Sequence, residues 1–236
     1  MQPQLLDIVV PVLNEEASID EFIARVERLG YAEALIFVDN ASNDGTVDRI
    51  QRHPGCRLIR HARNEGYGAS IRHGIEAGAG EVVVIVDADL EYPVESIPTL
   101  LEALAAHPVV YASRFLGVRP PEMALFRRLG NRLMSGLYNV LYRQHVTDLC
   151  TGMKAFRRDA LPIAALTMDG FEHGVEIAML IAFSGHRIHE IPVDYQPRQK
   201  GTSKMRHIPE ALKFCFHLLV GRMPSRRRRM TERAAA

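Results

Sequence analysis

Cysteines and long apolar runs are both scarce in this sequence, and each scarcity excludes a class of protein. The 236 residues contain three cysteines, Cys56, Cys150 and Cys215, which are far apart and odd in number. A disulfide-stabilised scaffold or a cysteine-ligated zinc site needs paired cysteines at closer spacing. We therefore expect a protein of a reducing compartment, namely the cytoplasm.

Membrane spans and a strong net charge are also missing. No run of about 18 apolar residues occurs, so we predict no transmembrane helix. Residues 1–4 lack the basic and apolar segments of a signal peptide. The formal net charge is +1, which gives no overall field that would attract nucleic acid. Six arginines crowd the C-terminus, but no platform of aromatic residues accompanies them, so we expect no nucleic-acid binding.

What is present in the first 115 residues is a regular alternation of apolar runs and amphipathic segments. The runs at 5–13, 34–38, 56–59, 82–86 and 109–112 predict strands, and the segments at 17–29, 46–52, 69–79 and 94–106 predict helices. Residues 82–86 are five consecutive β-branched residues, typical of a strand buried on both faces. Alternation of this kind predicts an α/β fold with a mostly parallel central sheet and helices on both faces.

Polar residues follow four of these predicted strands. They are Asn14-Glu15, Asp39-Asn40, Asp87-Ala88-Asp89 and Ser113-Arg114. In open sheets of parallel strands, ligands bind beyond the carboxyl ends of the strands. The sequence therefore predicts a binding site at this edge of the sheet.

Three acidic residues alternate with other residues directly after the fourth strand: Asp87, Asp89 and Glu91. In an extended chain their carboxylates would point to one side, where their mutual repulsion favours a cation. Mg²⁺ or Mn²⁺ suits such oxygen ligands and would act as a Lewis acid on a leaving diphosphate. A solvated acidic turn is the alternative, but the position between an apolar strand and Pro93 favours the metal.

Seven segments of the chain, in this order, resemble motifs of the family 2 inverting glycosyltransferases with the GT-A fold. They are PVLNEE (11–16), VDNASNDGT (38–46), NEGYGA (64–69), DADLEYP (87–93), ASRF (112–115), TDLCTGMKAF (147–156) and RQKGTSK (198–204). The branch that they resemble comprises the dolichyl- and polyprenyl-phosphate mannosyl- and glucosyltransferases. The resemblance implies transfer of mannose or glucose from a GDP- or UDP-hexose to a polyprenyl phosphate, with inversion and with Mg²⁺ or Mn²⁺.

The resemblance also implies roles for matching positions. The nucleotide would be bound by Pro11, Asn14, Glu15, Asp39, Gly68 and Asp87. The metal would be held by Asp87, Asp89 and Glu91. The phosphates of donor and acceptor would be bound by Arg114, Arg128, Arg198, Ser203 and Lys204. Arg114 and Asp148 would be the catalytic residues.

The role of Asp148 depends on the acceptor. A hydroxyl acceptor would use this carboxylate as a general base. A phosphate monoester has a second pKa of about 6, so it needs no strong base, and Asp148 would then position other groups. The lack of the membrane helices common in bacterial relatives keeps open a hydroxyl acceptor on a soluble metabolite or glycan. Asn40, where the family usually has Asp, keeps open both the identity of the base and a non-catalytic nucleotide-sugar-binding protein.

The second half of the chain has fewer strands and longer helices. An amphipathic helix is predicted at 126–142, and its apolar side consists of Phe126, Leu129, Leu133, Leu137, Val140 and Leu141. We expect a GT-A domain over residues 1–205, an amphipathic helix over 206–223 and a basic, disordered tail over 224–236. The last helix and the arginines favour peripheral contact with the cytoplasmic face of a membrane. Packing of this helix on the domain, or on a second subunit of a homo-oligomer, stays open. The ten histidines show no spacing that predicts a metal site.

Overall fold

The computed structural model describes residues 6–116, 125–197, 207–223 and 232. Its strands are β1 (Leu6–Val12), β2 (Leu35–Asp39), β3 (Arg57–Arg60), β4 (Val82–Ile85), β5 (Val109–Ser113), β6 (Lys154–Arg157) and β7 (His189–Pro192). Its α-helices are α1 (Ile19–Arg28), α2 (Thr46–Gln51), α3 (Tyr67–Ala77), α4 (Ile97–Ala103), α5 (Leu125–Tyr142), α6 (His173–Phe183) and α7 (His207–Gly221). These bounds agree with the predicted elements to within a few residues.

The strands form one seven-stranded sheet in the order β3-β2-β1-β4-β6-β5-β7. The pairs β3–β2, β2–β1, β1–β4 and β5–β7 are parallel. Strand β6 lies antiparallel between β4 and β5, although it follows both in the chain. The mostly parallel sheet predicted from the sequence is confirmed, with β6 as its exception.

Both faces of the sheet are covered by helices, as predicted. Side chains of β4 alternate between the two layers, with Val82 and Val84 in one core and Val83 and Ile85 in the other. The first core also contains the apolar faces of α1 and α4. The second contains those of α3, α5, α6 and α7. Burial on both faces explains the unbroken β-branched run in β4.

Helix α5 buries only part of the side that its sequence predicts. Its buried apolar side chains are Met134, Tyr138 and Tyr142, and the two tyrosine hydroxyls donate to backbone carbonyls of α6 and α7. Of the predicted apolar side, Leu137 and Leu141 are half-buried against the second core, whereas Leu129, Leu133 and Val140 are exposed. Long apolar side chains also remain exposed on α7, which packs against α5. We call this set the apolar rim: Leu125, Leu129, Leu133, Val140, Leu212, Phe216, Leu219 and Met223.

Several predicted features lie outside the described residues. They are Arg198, Ser203 and Lys204, the proposed boundary at 205–206 and nearly all of the basic tail. Within the described ranges, none of the helices combines the length and the apolar character that crossing a bilayer requires.

Candidate active site

A cavity of about 640 Å³ opens at the carboxyl ends of the parallel strands. All four predicted strand exits contribute to its wall, through Glu15, Asn40, Asp87 with Asp89, and Arg114. The wall also includes Pro11 at the end of β1. Helices α3, α5, α6 and α7 complete it, so the cavity extends from the sheet edge to the helices that carry the apolar rim.

The backbone turns sharply at three of these exits. Asn14, Ala41 and Leu90 follow β1, β2 and β4, and their φ angles are 53°, 66° and 62°. Residues with a Cβ rarely adopt this left-handed region, and only Asn among the three is suited to it. Such backbone persists where the surrounding contacts fix it, and it is enriched at functional sites.

Asn14 and Asp39 hold the loops around the cavity, and neither lines it. The Asn14 Oδ1 atom accepts a hydrogen bond from the backbone N–H of Asn43 at 2.8 Å. The Asp39 carboxylate is almost completely buried and accepts from the backbone N–H of Ser42 at 3.1 Å. Oxygens of both side chains are directed to the 42–43 backbone, and the predicted contact of Asn14 and Asp39 with the nucleotide stays a prediction. Pro11 and Glu15 do line the cavity.

Gly68 is also used differently from its predicted role. A Cβ at this position would lie 2.3 Å from the Met168 carbonyl oxygen and 2.8 Å from that of Gly170. The Gly68 N–H donates to the Asp169 carbonyl at 2.7 Å. Glycine is thus required where the start of α3 contacts the loop before α6, and its predicted contact with the nucleotide stays a prediction.

The chain is not extended through the acidic segment, because Leu90 turns it. Asp87 accepts a hydrogen bond from the Tyr67 hydroxyl at 2.5 Å, and Asp89 accepts from the backbone N–H of Glu91 at 3.0 Å. Glu91 accepts from the Tyr195 hydroxyl at 3.0 Å. All three carboxylates still reach the cavity wall. They do not, however, lie within 4.8 Å of one another as a set of three in the described part of the chain.

Negative charge is concentrated around Asp87. Burial, together with the nearby Asp89, raises the pKa of this carboxyl to about 7, against the opposing effects of the Tyr67 hydrogen bond and Lys154. Mg²⁺ is usually bound by one or two carboxylates together with phosphate oxygens. Asp87 and Asp89 fit a Mg²⁺ or Mn²⁺ ion in this way. Glu91, bonded to Tyr195, fits a place beside the ion better than the direct ligand role predicted for it.

Arg114 lines the cavity and forms a buried ion pair with Asp148. Arg114 Nε and Nη2 donate to the two carboxylate oxygens at 2.6 and 2.7 Å, and the Arg114 N–H adds a third bond at 3.1 Å. Although burial opposes its charge, Asp148 keeps the pKa of Arg114 above its usual range. The Asp148 carboxylate is fully buried and is not among the residues that line the cavity, and its predicted catalytic role stays a prediction.

Three further ionisable side chains lie on elements that contribute to the cavity wall. Arg128 is half-buried on α5 and is not among the lining residues, and its role as a phosphate ligand stays a prediction. Lys154 and His173 do line it, but the sequence analysis assigned neither a role. Burial lowers the pKa of His173 to about 3, and neither of its ring nitrogens has a hydrogen-bond partner among the described residues. Lys154 belongs to the TDLCTGMKAF segment (147–156), whereas no pattern in the sequence indicated a role for His173.

The sheet order and the cavity at the strand ends define a GT-A fold. Solved structures of glucosyl-3-phosphoglycerate synthase from Mycobacterium tuberculosis are similar to this chain. One superposes with a TM-score of 0.68 at 21% identity, covering 92% of this chain and 79% of that one. Another, with a TM-score of 0.67 and 19% identity over the same shares, is a complex with Mn²⁺, UDP and glucosyl-3-phosphoglycerate.

The chain belongs to glycosyl transferase family 2, because the sequence profile of that family matches residues 7–162. It is 30% identical to an undecaprenyl-phosphate mannosyltransferase of Micrococcus luteus, over 84% of this chain and 86% of that protein. It is 26% identical to a dolichol-phosphate mannosyltransferase of Pyrococcus furiosus, over 91% of this chain and 63% of that protein. The chain thus spans slightly less than two thirds of the length of several curated relatives, 63 to 66%.

Proposed function

We propose that this chain transfers a hexose, mannose or glucose, from a GDP- or UDP-hexose to a polyprenyl phosphate, with inversion, at a membrane surface. One observation carries the proposal. The cavity wall combines the acidic pair Asp87 and Asp89 with residues of α5 and α7, the helices that carry nearly all of the apolar rim. A polar donor and a lipid acceptor would therefore meet in one cavity.

The donor side suits a nucleoside diphosphate. Glu15 and Asn40 line the cavity next to the exits of β1 and β2, where a carboxylate and an amide can bind ribose or base. A bound Mg²⁺ or Mn²⁺ would stabilise the charge of the leaving nucleoside diphosphate. Asp87 and Asp89 would hold that ion, and Tyr67 orients Asp87 through its hydroxyl.

The acceptor side suits a phosphate. Arg114 lines the cavity and is held by Asp148, so its guanidinium is positioned before any ligand binds. Arginine matches phosphate oxygens well because its planar N–H groups can bind two oxygens at once. Because Asp148 is already bonded to Arg114, it is poorly placed to remove a proton. This favours an acceptor that is ionised by itself, as a phosphate monoester largely is at pH 7. Arg198, Ser203 and Lys204 stay predicted phosphate ligands.

The names of the similar proteins support the same acceptor, since two of them are transferases named for undecaprenyl phosphate and dolichol phosphate. The apolar rim supports peripheral membrane contact. A cluster of eight exposed long apolar side chains on two packed helices is more than scattered surface residues provide. An interfacial position would bring the cavity opening to the lipid acceptor.

The test is transfer to a short polyprenyl phosphate by the purified chain with Mn²⁺ or Mg²⁺ and labelled GDP-mannose, GDP-glucose, UDP-glucose and UDP-mannose. We expect a labelled lipid product that needs both the metal and the phosphate, with the dephosphorylated polyprenol as the matched negative control. Transfer to the polyprenol, or to soluble hydroxyl acceptors only, would support the hydroxyl alternative. Donor binding with neither transfer nor metal-dependent hydrolysis would support the non-catalytic alternative.

A further inference from the structure

Two histidines and a glutamate meet beside the cavity, away from the acidic pair. His61 follows β3 directly, Glu65 lies in the next loop and His73 lies on α3. His61 Nε2 is 2.9 Å from His73 Nδ1, which is 3.9 Å from Glu65 Oε2. One ligand atom of each residue lies within 4.8 Å of the other two. The loop between β3 and α3, together with α3 itself, therefore brings three metal-binding side chains to one point.

Asn40 fixes the orientation of this group. The Asn40 Oδ1 atom accepts from the backbone N–H of Glu65 at 2.8 Å, and Asn40 Nδ2 donates to Asn64 Oδ1 at 2.9 Å. A backbone N–H can only donate, so the Asn40 oxygen must face both Glu65 and the His61 Nδ1 atom, which lies 3.1 Å away. His61 Nδ1 is consequently the donor. In a neutral ring, its Nε2 then carries a lone pair directed at His73.

This is the arrangement that surrounds metal-bound histidines. A ligating imidazole usually donates its other N–H to an oxygen of the protein, which fixes the tautomer. In a tetrahedral site with bonds of about 2.0–2.1 Å, ligand atoms lie roughly 3.3 Å apart. The separations of 2.9 and 3.9 Å lie on either side of that value and the third, between His61 and Glu65, is within 4.8 Å, so side-chain shifts of roughly one ångström would complete the site.

We propose that His61, Glu65 and His73 bind Zn²⁺, as a second metal site distinct from that of Asp87 and Asp89. Imidazole ligands favour Zn²⁺ over Mg²⁺ and Mn²⁺, which favour the oxygen set of the acidic pair. Two histidines and one carboxylate leave a fourth position for water. The partial exposure of Glu65 and His73, 36% and 33% of their side chains, gives water access to that position.

The site would join the exit of β3 to α3 at the edge of the cavity. Three residues that line the cavity are joined by hydrogen bonds at this edge, because both Asn40 and the Gly66 N–H donate to Asn64 Oδ1. The proposed zinc site also gives the Asn40 side chain a structural role that an aspartate could not fill in the same way. An amide accepts from Glu65 and His61 with its oxygen and donates to Asn64 with its nitrogen, whereas a carboxylate only accepts.

The test uses the full chain without an affinity tag, stripped with a chelator and then supplied with Zn²⁺. Bound Zn²⁺ is counted by elemental analysis, and its Kd is measured by competition with a chromogenic chelator. We expect one equivalent for the wild type and at least a tenfold weaker Kd for Glu65→Gln and for His73→Asn. Co²⁺ in place of Zn²⁺ should give a tetrahedral visible spectrum that both variants weaken.

Three control variants isolate the site. His53→Asn removes a histidine that also contacts a glutamate, Glu27 at 3.0 Å, but has no second histidine. His189→Asn removes one member of the stacked His107–His189 pair. Both should bind Zn²⁺ as the wild type does, and so should Asp89→Asn, which removes a ligand of the other metal.

The proposal is overturned if the wild type retains no Zn²⁺ at micromolar concentration, if Glu65→Gln and His73→Asn bind it unchanged, or if Asp89→Asn abolishes binding. Glu65 is half-exposed at its side chain, so Glu65→Gln should fold normally, which thermal melting checks. Metal content is the readout throughout, so the result does not depend on whether the chain transfers a sugar.

Discussion

The donor and acceptor sides of the cavity are stabilised in different ways. On the donor side, many hydrogen bonds between neighbouring loops share the task, among them Asn14 to Asn43, Asp39 to Ser42 and Asn40 to Glu65. On the acceptor side, a buried ion pair joins β5 to the turn before β6, and hydrogen bonds with Glu190 and Asn131 also hold that turn. Loss of one side chain on the donor side should therefore cost little stability, whereas loss of Asp148 leaves a buried charge unpaired.

Asp148→Asn should have the largest effect, because it leaves the Arg114 guanidinium buried without its carboxylate. We expect the free energy of unfolding to fall by about 3–5 kcal/mol, measured by urea denaturation. The matched control is Asp169→Asn, which breaks the exposed pair with Arg72 and should cost less than about 1 kcal/mol. A stable Asp148→Asn protein without activity would instead indicate a general base.

Asp89→Asn tests the donor side, because it should slow sugar transfer without destabilising the fold. Loss of a metal ligand should lower kcat about a thousandfold, equivalent to about 4 kcal/mol, with an unchanged melting temperature. Glu91→Gln is the control, because Glu91 is bonded to Tyr195, and it should lower kcat by about tenfold or less. Equal losses in the two variants would show that all three carboxylates hold the ion.

Charges placed on the apolar rim should separate membrane contact from catalysis. Burying one large apolar side chain in a bilayer contributes about 1.5–3 kcal/mol, so Leu133→Glu and Phe216→Glu should each weaken vesicle binding by roughly ten- to a hundredfold. Co-sedimentation with anionic vesicles measures this. Ala105→Glu adds the same charge at an exposed position after α4, on the other face of the sheet, and should change little. Vesicle binding that is as tight in the rim variants as in the wild type would contradict the proposed orientation.

The pH dependence of Mn²⁺ binding should report Asp87. Because burial raises the pKa of this carboxyl to about 7, protons compete with the cation below that pH, and affinity should fall about tenfold from pH 8 to pH 6. Mn²⁺ titrations followed by electron paramagnetic resonance measure it. Tyr67→Phe removes a hydrogen bond that stabilises the charged carboxylate, so the midpoint should move to higher pH. A constant affinity from pH 8 to pH 6 would contradict this account.

Much of the fold follows from local pattern. The β-branched run in β4 and the alternating apolar segments before it predict the strands and helices, because each element depends mainly on its own residues. The strand exits could be located in the same way, and Glu15, Asn40, Asp87, Asp89 and Arg114 do line the cavity. The sequence indicated that Asn14 and Asp39 follow strands, but it did not indicate that their side chains bond to the backbone of residues 42–43.

The remaining features depend on contacts between distant segments. Leu90 adopts a left-handed turn that its own side chain disfavours, so no local pattern indicates that Glu91 turns to Tyr195. His61 and His73 meet because β3 and α3 are placed side by side by the sheet. The exposed side of α5 also escaped prediction, since an apolar stripe looks the same whether it packs on protein or faces outward.

The position of β6 has a consequence for how the chain is made. A ribosome delivers β4 and β5 before β6, and α5 must also be synthesised before residues 154–157 can insert between those two strands. Contacts of high sequence separation form slowly, so we expect this insertion to be a late event. A nascent chain that stops short of β6 leaves two apolar strand edges unpaired, and such edges promote aggregation. Chaperone demand during translation should therefore end when this one strand emerges.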